Sequence, residues 1–440
     1  MFNSIIKFTQ EKLNFLYKNS LFLQHIDKII LLFICAVFLT STFMNSDSIG
    51  FLALITLFLT VVKILTTPEQ RLTANRFETW LVAYFMIVII SLAGSTLFMY
   101  SLKGFFKTLT YLGFYFSVAQ YLKYNREKIP FVIGVIAFCT GFEGIVGFLQ
   151  NFAHPEAIST WQDTSSLNPE QVMTRIYGSL KPYNPNLLGG YFVAGLPAVF
   201  GMSAYNFIKK SYNTAILWLV MAFITTIALV STGCRGSYLA LIGMLGMMFL
   251  ISAKFLWKTY KKIYFSIAGA VVALGTLAVM SSSSLRARVF SIFAMRSDSS
   301  NSFRFNVYQS SLQMLKDNFL LGIGVGNQNF REIYGLYMKT GFDALSTYNI
   351  YLEIAVESGI FALITFLGFL FGALHKAFKI IINSQDAQKI ILISIAAVSI
   401  IGLMIHGIVD TVFFRPQIQF IFWAMIAVIT AVEIPAESTN

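Results

Sequence analysis

The chain is poor in charged residues and in cysteine. Asp, Glu, Lys and Arg make up 12% of its 440 residues, whereas soluble domains carry roughly 25%. Its three cysteines, Cys35, Cys139 and Cys234, are scattered through apolar segments. An odd and scattered set of this kind indicates neither a disulfide framework nor a cysteine metal cluster.

Acidic residues are scarcer than basic ones, at 20 against 32, which gives a net charge of +12. Such an excess can indicate nucleic-acid binding. Here 56% of the residues are hydrophobic and the mean hydropathy is +0.69, which is typical of an integral membrane protein. Lysines in cytoplasmic loops explain the charge of such a protein. We therefore expect membrane lipids around the chain and no nucleic-acid partner.

Long apolar runs predict an all-α polytopic membrane protein with about 12 transmembrane helices. The first run begins near Ile29 without a small-residue cleavage site before it, so we interpret it as an uncleaved helix and not a signal peptide. The predicted spans are 29–44, 49–66, 79–97, 105–122, 129–149, 186–207, 213–231, 236–253, 264–280, 352–374, 390–408 and 417–433. The predicted organisation is N-terminal transmembrane helices over 1–280, a large extracytoplasmic loop over 281–351, and C-terminal transmembrane helices over 352–440.

The basic residues predict the orientation in the membrane. With both termini cytoplasmic, 19 of the 32 bases fall inside and 13 outside, the sign of the positive-inside rule. The inside set has 16 lysines and 3 arginines, whereas the outside set has 5 lysines and 8 arginines. The outside arginines are Arg175, Arg235, Arg286, Arg288, Arg296, Arg304, Arg331 and Arg415. Because the planar guanidinium binds phosphate with two parallel hydrogen bonds, this enrichment favours an anionic ligand such as pyrophosphate. The alternative is arginines bound to lipid headgroups or paired with the loop acids Asp298, Asp317, Glu332 and Asp343.

One outside arginine, Arg235 in "STGCRGSYLA" (231–240), directly precedes an apolar run. A charge within a spanning segment costs about 2.5–3.5 kcal/mol on insertion scales, so such residues tend to be functional. The alternative is an arginine whose head group reaches the lipid–water boundary from the end of its helix.

The two longest external loops contain three further patterns. In "YNPNLLGGY", Asn184 and Asn186 flank Pro185 and predict a capped helix start, which is either an anion site or a plain turn. The stretch Phe303 to Asn318 predicts an amphipathic helix that presents Arg304 from its first turn. "GIGVG" lacks the spacing and the context of a dinucleotide loop and instead predicts a tight turn at a close backbone approach.

Four ordered segments resemble the O-antigen ligase and polymerase superfamily. They are "PYNPNLLGGY", "STGCRGSYLA", "RFNVYQSSLQMLKDNFLLGIGVGNQNF" and "STYNIYLEIAVESGIFAL", and the resemblance covers about 180–370. "SDSSNSFRFNVY", "ALSTYNIYLEIAVESG" and "HGIVDTVFFRPQ" are most similar to a cyanobacterial branch named for inorganic-carbon transport and labelled as bicarbonate transporters.

The resemblance implies a helical scaffold similar to GT-C glycosyltransferases, in the inner membrane, with a large periplasmic loop over the active site. It implies transfer of a glycan from an undecaprenyl-pyrophosphate carrier to a hydroxyl of a lipid or glycan acceptor, with no cofactor and no metal. By motif, Arg235 and Arg304 match the family's arginines and become the predicted pyrophosphate ligands, with Asn186 in support.

The chain departs from the family at the residue expected to act as the base. The ligases have a histidine–asparagine pair where this chain has Tyr348 and Asn349. Because tyrosine is a poor base at neutral pH, Glu353 on the same helix is predicted to replace the histidine, with Glu357 one turn further along. The alternative is that both acids cap the helix start and pair with arginine.

His406 and Asp410 in "MIHGIVD" form a second candidate pair for proton handling, or a structural pair. The missing histidine also leaves a second class of function open. In that class the chain is a non-enzymatic membrane protein that handles inorganic carbon (bicarbonate) or another anion, because arginines beside a membrane cavity also suit an anion path.

Overall fold

The computed structural model describes residues 2–67, 70–153, 174–295 and 298–434, and these residues form helices and no strands. His154 in the first external loop and Arg296 of the outside set lie outside the described residues. The α-helices are α1 (Phe2–Asn19), α2 (Leu21–Gln24), α3 (Ile26–Thr40), α4 (Ser46–Thr66), α5 (Glu78–Gly94), α6 (Phe98–Tyr124), α7 (Ile129–Ala153), α8 (Pro185–Ile208), α9 (Tyr212–Ser231), α10 (Arg235–Leu256), α11 (Lys261–Ser281), α12 (Ser283–Phe290), α13 (Ser299–Asp317), α14 (Asn327–Tyr334), α15 (Ile350–Ser358), α16 (Ile360–Asn383), α17 (Ala387–His406) and α18 (Pro416–Ala431).

Eight helices in the described part of the chain are long and apolar enough to cross a membrane, and two shorter apolar helices, α5 and α18, accompany them. The protein is thus a polytopic helical membrane protein, as predicted. Each predicted span overlaps a helix, because an apolar segment in a membrane must satisfy its own backbone hydrogen bonds. The eight candidate spans do not confirm the count of twelve.

The predicted span 352–374 is wrong at its start, because the chain breaks into two helices at Gly359. This glycine has φ +83°, and a Cβ atom there would lie 2.1 Å from the carbonyl oxygen of Leu320. Only glycine adopts such a conformation at so close an approach without strain. The residues before it therefore form the separate short helix α15, and the membrane candidate begins with α16.

The glycine turn "GIGVG" packs on α15. Gly322, Gly324 and Gly326 all have positive φ. The Gly324 N–H donates to the carbonyl of Glu357 at 2.9 Å, and Ser91 of α5 donates to the same carbonyl at 3.0 Å. The predicted close backbone approach is confirmed, and its partner is a helix.

Several helix ends meet at one end of the bundle, which we call the site end. Helices α8, α10, α15 and α18 begin there, and α9 and α17 finish there. Backbone hydrogen bonds join the connecting segments, from Ile176 to Ser231 at 3.3 Å and from Ile350 to Gly407 at 2.8 Å. Because a helix start exposes N–H groups and carries partial positive charge, the first turns of α8, α10, α15 and α18 each favour negative charge beside them.

Candidate functional site

The start of α8 brings Asn186 into contact with two charged groups. Asn184 caps the helix by accepting from the N–H of Asn186 at 2.8 Å, with Pro185 at the first helical position, as the sequence predicts. The Asn186 amide donates to Asp410 Oδ2 at 3.1 Å and accepts from the guanidinium of Arg175. Asn186 thus links an arginine to an aspartate.

Arg235 opens α10 and points into the protein. Its side chain is 7% exposed and forms an ion pair with Asp298 at 2.9 Å, while Nη1 also donates to Ser291 Oγ at 3.0 Å. The guanidinium is therefore enclosed by protein, and the pairing with a loop acid is present for this residue. Its Nη2 atom is buried and has no hydrogen-bond partner among the described residues.

Arg304 lies on α13, the predicted amphipathic helix, which buries Val307 and Met314 as the spacing indicates. Its guanidinium carbon lies 5.9 Å from the centre of the Tyr348 ring, and Nη1 donates to Ser300 Oγ at 3.3 Å. The Nε atom is buried and, within the described ranges, finds no acceptor. Like Arg235, Arg304 retains a buried donor that an anion can bind.

Two further arginines complete an arginine cluster of Arg175, Arg235, Arg288 and Arg304. Arg288 acts electrostatically on both Arg175 and Arg235, and Arg304 acts on Arg235. Burial and the neighbouring Arg288 lower the pKa of Arg175 to about 10. Because these cations repel one another, a bound anion relieves the repulsion.

Arg175 and Arg288 also hold the turn before Arg235. Nε of Arg175 donates to the Thr232 carbonyl at 2.7 Å, and Nε of Arg288 donates to the Gly233 carbonyl at 2.9 Å. Sequence reasoning counted both arginines as external but did not assign them to the site. The only available signal was the enrichment of arginine in the outside set.

The Tyr348–Asn349 pair forms the turn that begins α15. Tyr348 has φ +55°, a conformation that is uncommon for a side chain of its size. Asn349 caps α15 by accepting from the N–H groups of Tyr351 and Leu352 and donates to the Ile408 carbonyl at 2.9 Å. Burial, with a smaller contribution from Asp410, raises the pKa of Tyr348. Tyr348 therefore remains a phenol at neutral pH and can donate a hydrogen bond.

Glu353 lies behind this turn and is only 2% exposed. Its Oε2 atom accepts from the backbone N–H of Thr347 at 2.6 Å. Burial raises the pKa of Glu353 to about 7, although the hydrogen bonds from Thr347 oppose the shift. The carboxyl group thus holds the turn that precedes α15, and its raised pKa lies in the range that suits a general base.

His406 and Asp410 lie at the site end with different partners. Helix α17 finishes at His406, so Asp410 follows in the loop and not one turn along the same helix. His406 Nε2 lies 3.5 Å from Cys234 Sγ, whereas Asp410 accepts from Asn186 and from the N–H of Val412 at 3.0 Å. Asp410 is 4% exposed and acts electrostatically on Arg175 and Tyr348, which makes it a carboxylate inside the site.

The structure thus gathers most of the predicted residues at the site end of the bundle. These are Asn186, Arg235, Arg304, Tyr348, Asn349, Glu353, His406 and Asp410. Glu357 is the exception, because it follows at the far end of α15 and packs with the glycine turn. In the part of the chain that the structure describes, no three His, Cys, Asp or Glu side chains group as metal ligands.

Part of the chain matches a family of known proteins. The family model described as O-Antigen ligase matches residues 220–367, about a third of the chain. No curated protein matches the chain. The matched segment contains Arg235, Arg304, Tyr348, Asn349 and Glu353 and leaves Asn186, His406 and Asp410 outside. The resemblance to the superfamily is confirmed over this segment, whereas the cyanobacterial branch stays a prediction. The part of this membrane protein that contains Arg235 and Arg304 is similar to O-antigen ligases.

Proposed function

We propose that the chain transfers or polymerises glycan from undecaprenyl pyrophosphate onto an acceptor hydroxyl at the extracytoplasmic membrane face. The observation that carries this proposal is the pair of buried, unpartnered guanidinium nitrogens on Arg235 and Arg304 within the described arginine cluster. A buried donor without an acceptor costs about 1–3 kcal/mol, and a pyrophosphate oxygen supplies that acceptor. The similarity to O-antigen ligases over 220–367 supports the same class of reaction.

The negative charge that develops during the transfer matches the positive charge of the arginine cluster. The acceptor oxygen attacks the anomeric carbon of the first sugar, and a new C–O bond forms. The bond from that carbon to the pyrophosphate oxygen breaks, and the leaving group takes the electron pair. Negative charge then grows on the phosphate oxygens, where preorganised arginines stabilise it most. The starts of α8 and α10 add partial positive charge at the same place.

The proton of the acceptor hydroxyl goes to a carboxylate. Glu353 is the proposed base, because its pKa is raised to about 7. Asp410 is the competing candidate, because it lies among the arginines and touches Asn186 directly. Tyr348, which remains protonated, then orients the substrate by donating a hydrogen bond and is not the base.

A deletion strain tests the proposal through its lipid-linked glycans. Loss of a transferase leaves its donor unused, so we expect undecaprenyl-pyrophosphate glycan to accumulate and to return to normal when the intact gene is restored. An unchanged glycan profile together with altered carbon uptake would instead support the inorganic-carbon alternative. The observation that supports the inorganic-carbon alternative is the same arginine cluster, because bicarbonate is also an anion.

A further inference from the structure

A cavity lies at the opposite end of the bundle from the arginine cluster. It has a volume of about 900 Å³ and lies where α5 begins and where α6, α16 and α18 end. Ligand pockets typically measure about 300–1,000 Å³, so this cavity can hold a sizeable group. Because α18 begins at the site end and finishes here, the length of that helix separates the two places.

The lining of this cavity is strongly basic, and we call it the basic cavity. Five cationic side chains line it, namely Arg76, Lys123, Arg126, Lys376 and Lys379. Two carboxylates face them among the described residues, Glu433 in the lining and Glu78 beside it.

Both of these carboxylates already have partners. Glu433 pairs with Arg126. Glu78 accepts from the Tyr115 hydroxyl at 2.6 Å and from the Asn75 amide at 2.9 Å. Positive charge in the basic cavity therefore exceeds negative charge.

Two of the cations retain donors for a ligand. Lys376 is 8% exposed, and its ammonium donates to Asn75 Oδ1 at 2.8 Å and to the Thr430 carbonyl at 3.0 Å. Both acceptors are neutral, and an ammonium has three N–H donors. The exposed guanidinium of Arg76 makes no hydrogen bond or ion pair with any residue that the structure describes. A phosphate group can bind the remaining N–H donors of both Lys376 and Arg76, since it supplies negative charge and several acceptor oxygens.

One wall of the basic cavity is apolar. Phe77 and Trp80 at the start of α5 line it and pack against Gly372 and Gly368 of α16. The indole of Trp80 remains partly exposed. Aromatic side chains beside cationic ones match a ligand with a charged head and an apolar body. Tryptophan at a membrane surface likewise has an apolar ring next to a polar region.

We propose that the basic cavity binds a phosphate ester through Arg76 and Lys376. The ester is either the phosphodiester headgroup of an anionic phospholipid or a soluble phosphate that enters from the aqueous side. The cavity lies away from the site end, so this proposal does not depend on glycan transfer.

Binding to the full-length protein in detergent tests the proposal in two arms. In the first, phosphatidylglycerol is titrated against phosphatidylcholine and retained lipid is counted by native mass spectrometry. In the second, glycerol 1-phosphate is titrated by calorimetry. Saturable binding in the first arm identifies a lipid headgroup, and binding in the second identifies a soluble ester. We expect Arg76→Gln and Lys376→Gln each to weaken the observed binding at least about tenfold, because each removes charge-assisted hydrogen bonds.

Variants that remove one positive charge elsewhere distinguish binding in the basic cavity from general attraction of anionic ligands to this end of the bundle. Lys258→Gln, between α10 and α11, and Lys262→Gln, in the first turn of α11, remove exposed charges at the same end of the bundle and should bind like the unmodified protein. Arg76→Lys keeps the charge but loses the planar fork, so its binding should be weaker than that of the unmodified protein and tighter than that of Arg76→Gln. Since Arg76 is exposed, its variants should fold normally even if Lys376→Gln does not. No saturable binding in either arm, or equal binding by Arg76→Gln and the unmodified protein, would overturn the proposal.

Discussion

Arg235 at the start of α10 and Asp298 at the start of α13 form a buried ion pair with an N–O distance of 2.9 Å. Asp298 also caps α13 by accepting from the N–H of Asn301 at 2.8 Å. One carboxylate therefore positions Arg235 directly and positions Arg304 through the helix that carries it. The site depends on this aspartate for the relative placement of its two main arginines.

Asp298→Asn should destabilise the protein although asparagine caps a helix as well as aspartate does. The variant leaves Arg235 buried without its counter-charge and beside Arg288, and breaking a buried pair on one side typically costs about 3–5 kcal/mol. Thermal unfolding in detergent measures the effect. The double variant Arg235→Gln/Asp298→Asn should recover part of the loss. Additive losses in the double variant would show that the pair is not coupled.

Arg235→Lys should reduce glycan transfer at least about tenfold. Lysine keeps the positive charge but loses the fork that binds two phosphate oxygens at once. Arg331→Lys, an exposed arginine on α14, is the matched control and should transfer normally. The readout is the rate at which a lipid-linked donor is consumed. Equal rates for the two variants would remove Arg235 from the pyrophosphate site.

Transfer should depend on pH through the base. Burial raises the pKa of Glu353 to about 7, and a base acts only when deprotonated, so the rate should rise as the pH increases through about 7 and level off above it. Glu353→Gln should abolish transfer without lowering protein abundance, and Tyr348→His should preserve or raise it. An active Glu353→Gln together with an inactive Asp410→Asn would assign the base to Asp410.

The orientation in the membrane can be tested with single cysteines. The three native cysteines are buried and should give little background. Ser299 at the start of α13 and Lys258 after α10 are both exposed, so cysteine at either position is open to a thiol reagent. With the predicted orientation, a membrane-impermeant reagent labels Ser299→Cys in intact cells and labels Lys258→Cys only after lysis. The reverse pattern would invert the topology.

Local features of this protein could be predicted from the sequence, whereas distant contacts could not. The start of α8 followed from Asn184 and Pro185, and the amphipathic helix followed from the spacing of Val307 and Met314. These features depend on nearby residues and on helical periodicity. The break before α16 was missed, because it depends on the close approach of Leu320 to Gly359.

The site itself was predicted only in part for the same reason. Motifs pointed to Arg235 and Arg304 one at a time, but nothing local indicated that Arg175 and Arg288 join them. The sequence analysis named Asp298 only as one of four loop acids for pairing with the external arginines. The basic cavity left no sequence signal beyond the general excess of bases in loops predicted to be cytoplasmic, because its lining comes from several helix ends.

The most direct test of the central claim is donor cleavage by the purified full-length protein. Lipid-linked glycan extracted from the deletion strain serves as the donor in detergent, with an acceptor fraction from the same cells, and free undecaprenyl pyrophosphate is measured over time. We predict that the unmodified protein releases undecaprenyl pyrophosphate in step with glycan appearing on the acceptor, and that Arg235→Lys does so at least about tenfold more slowly. Release that is no faster than in protein-free controls, with a donor and acceptor that a known ligase does consume, would contradict the claim.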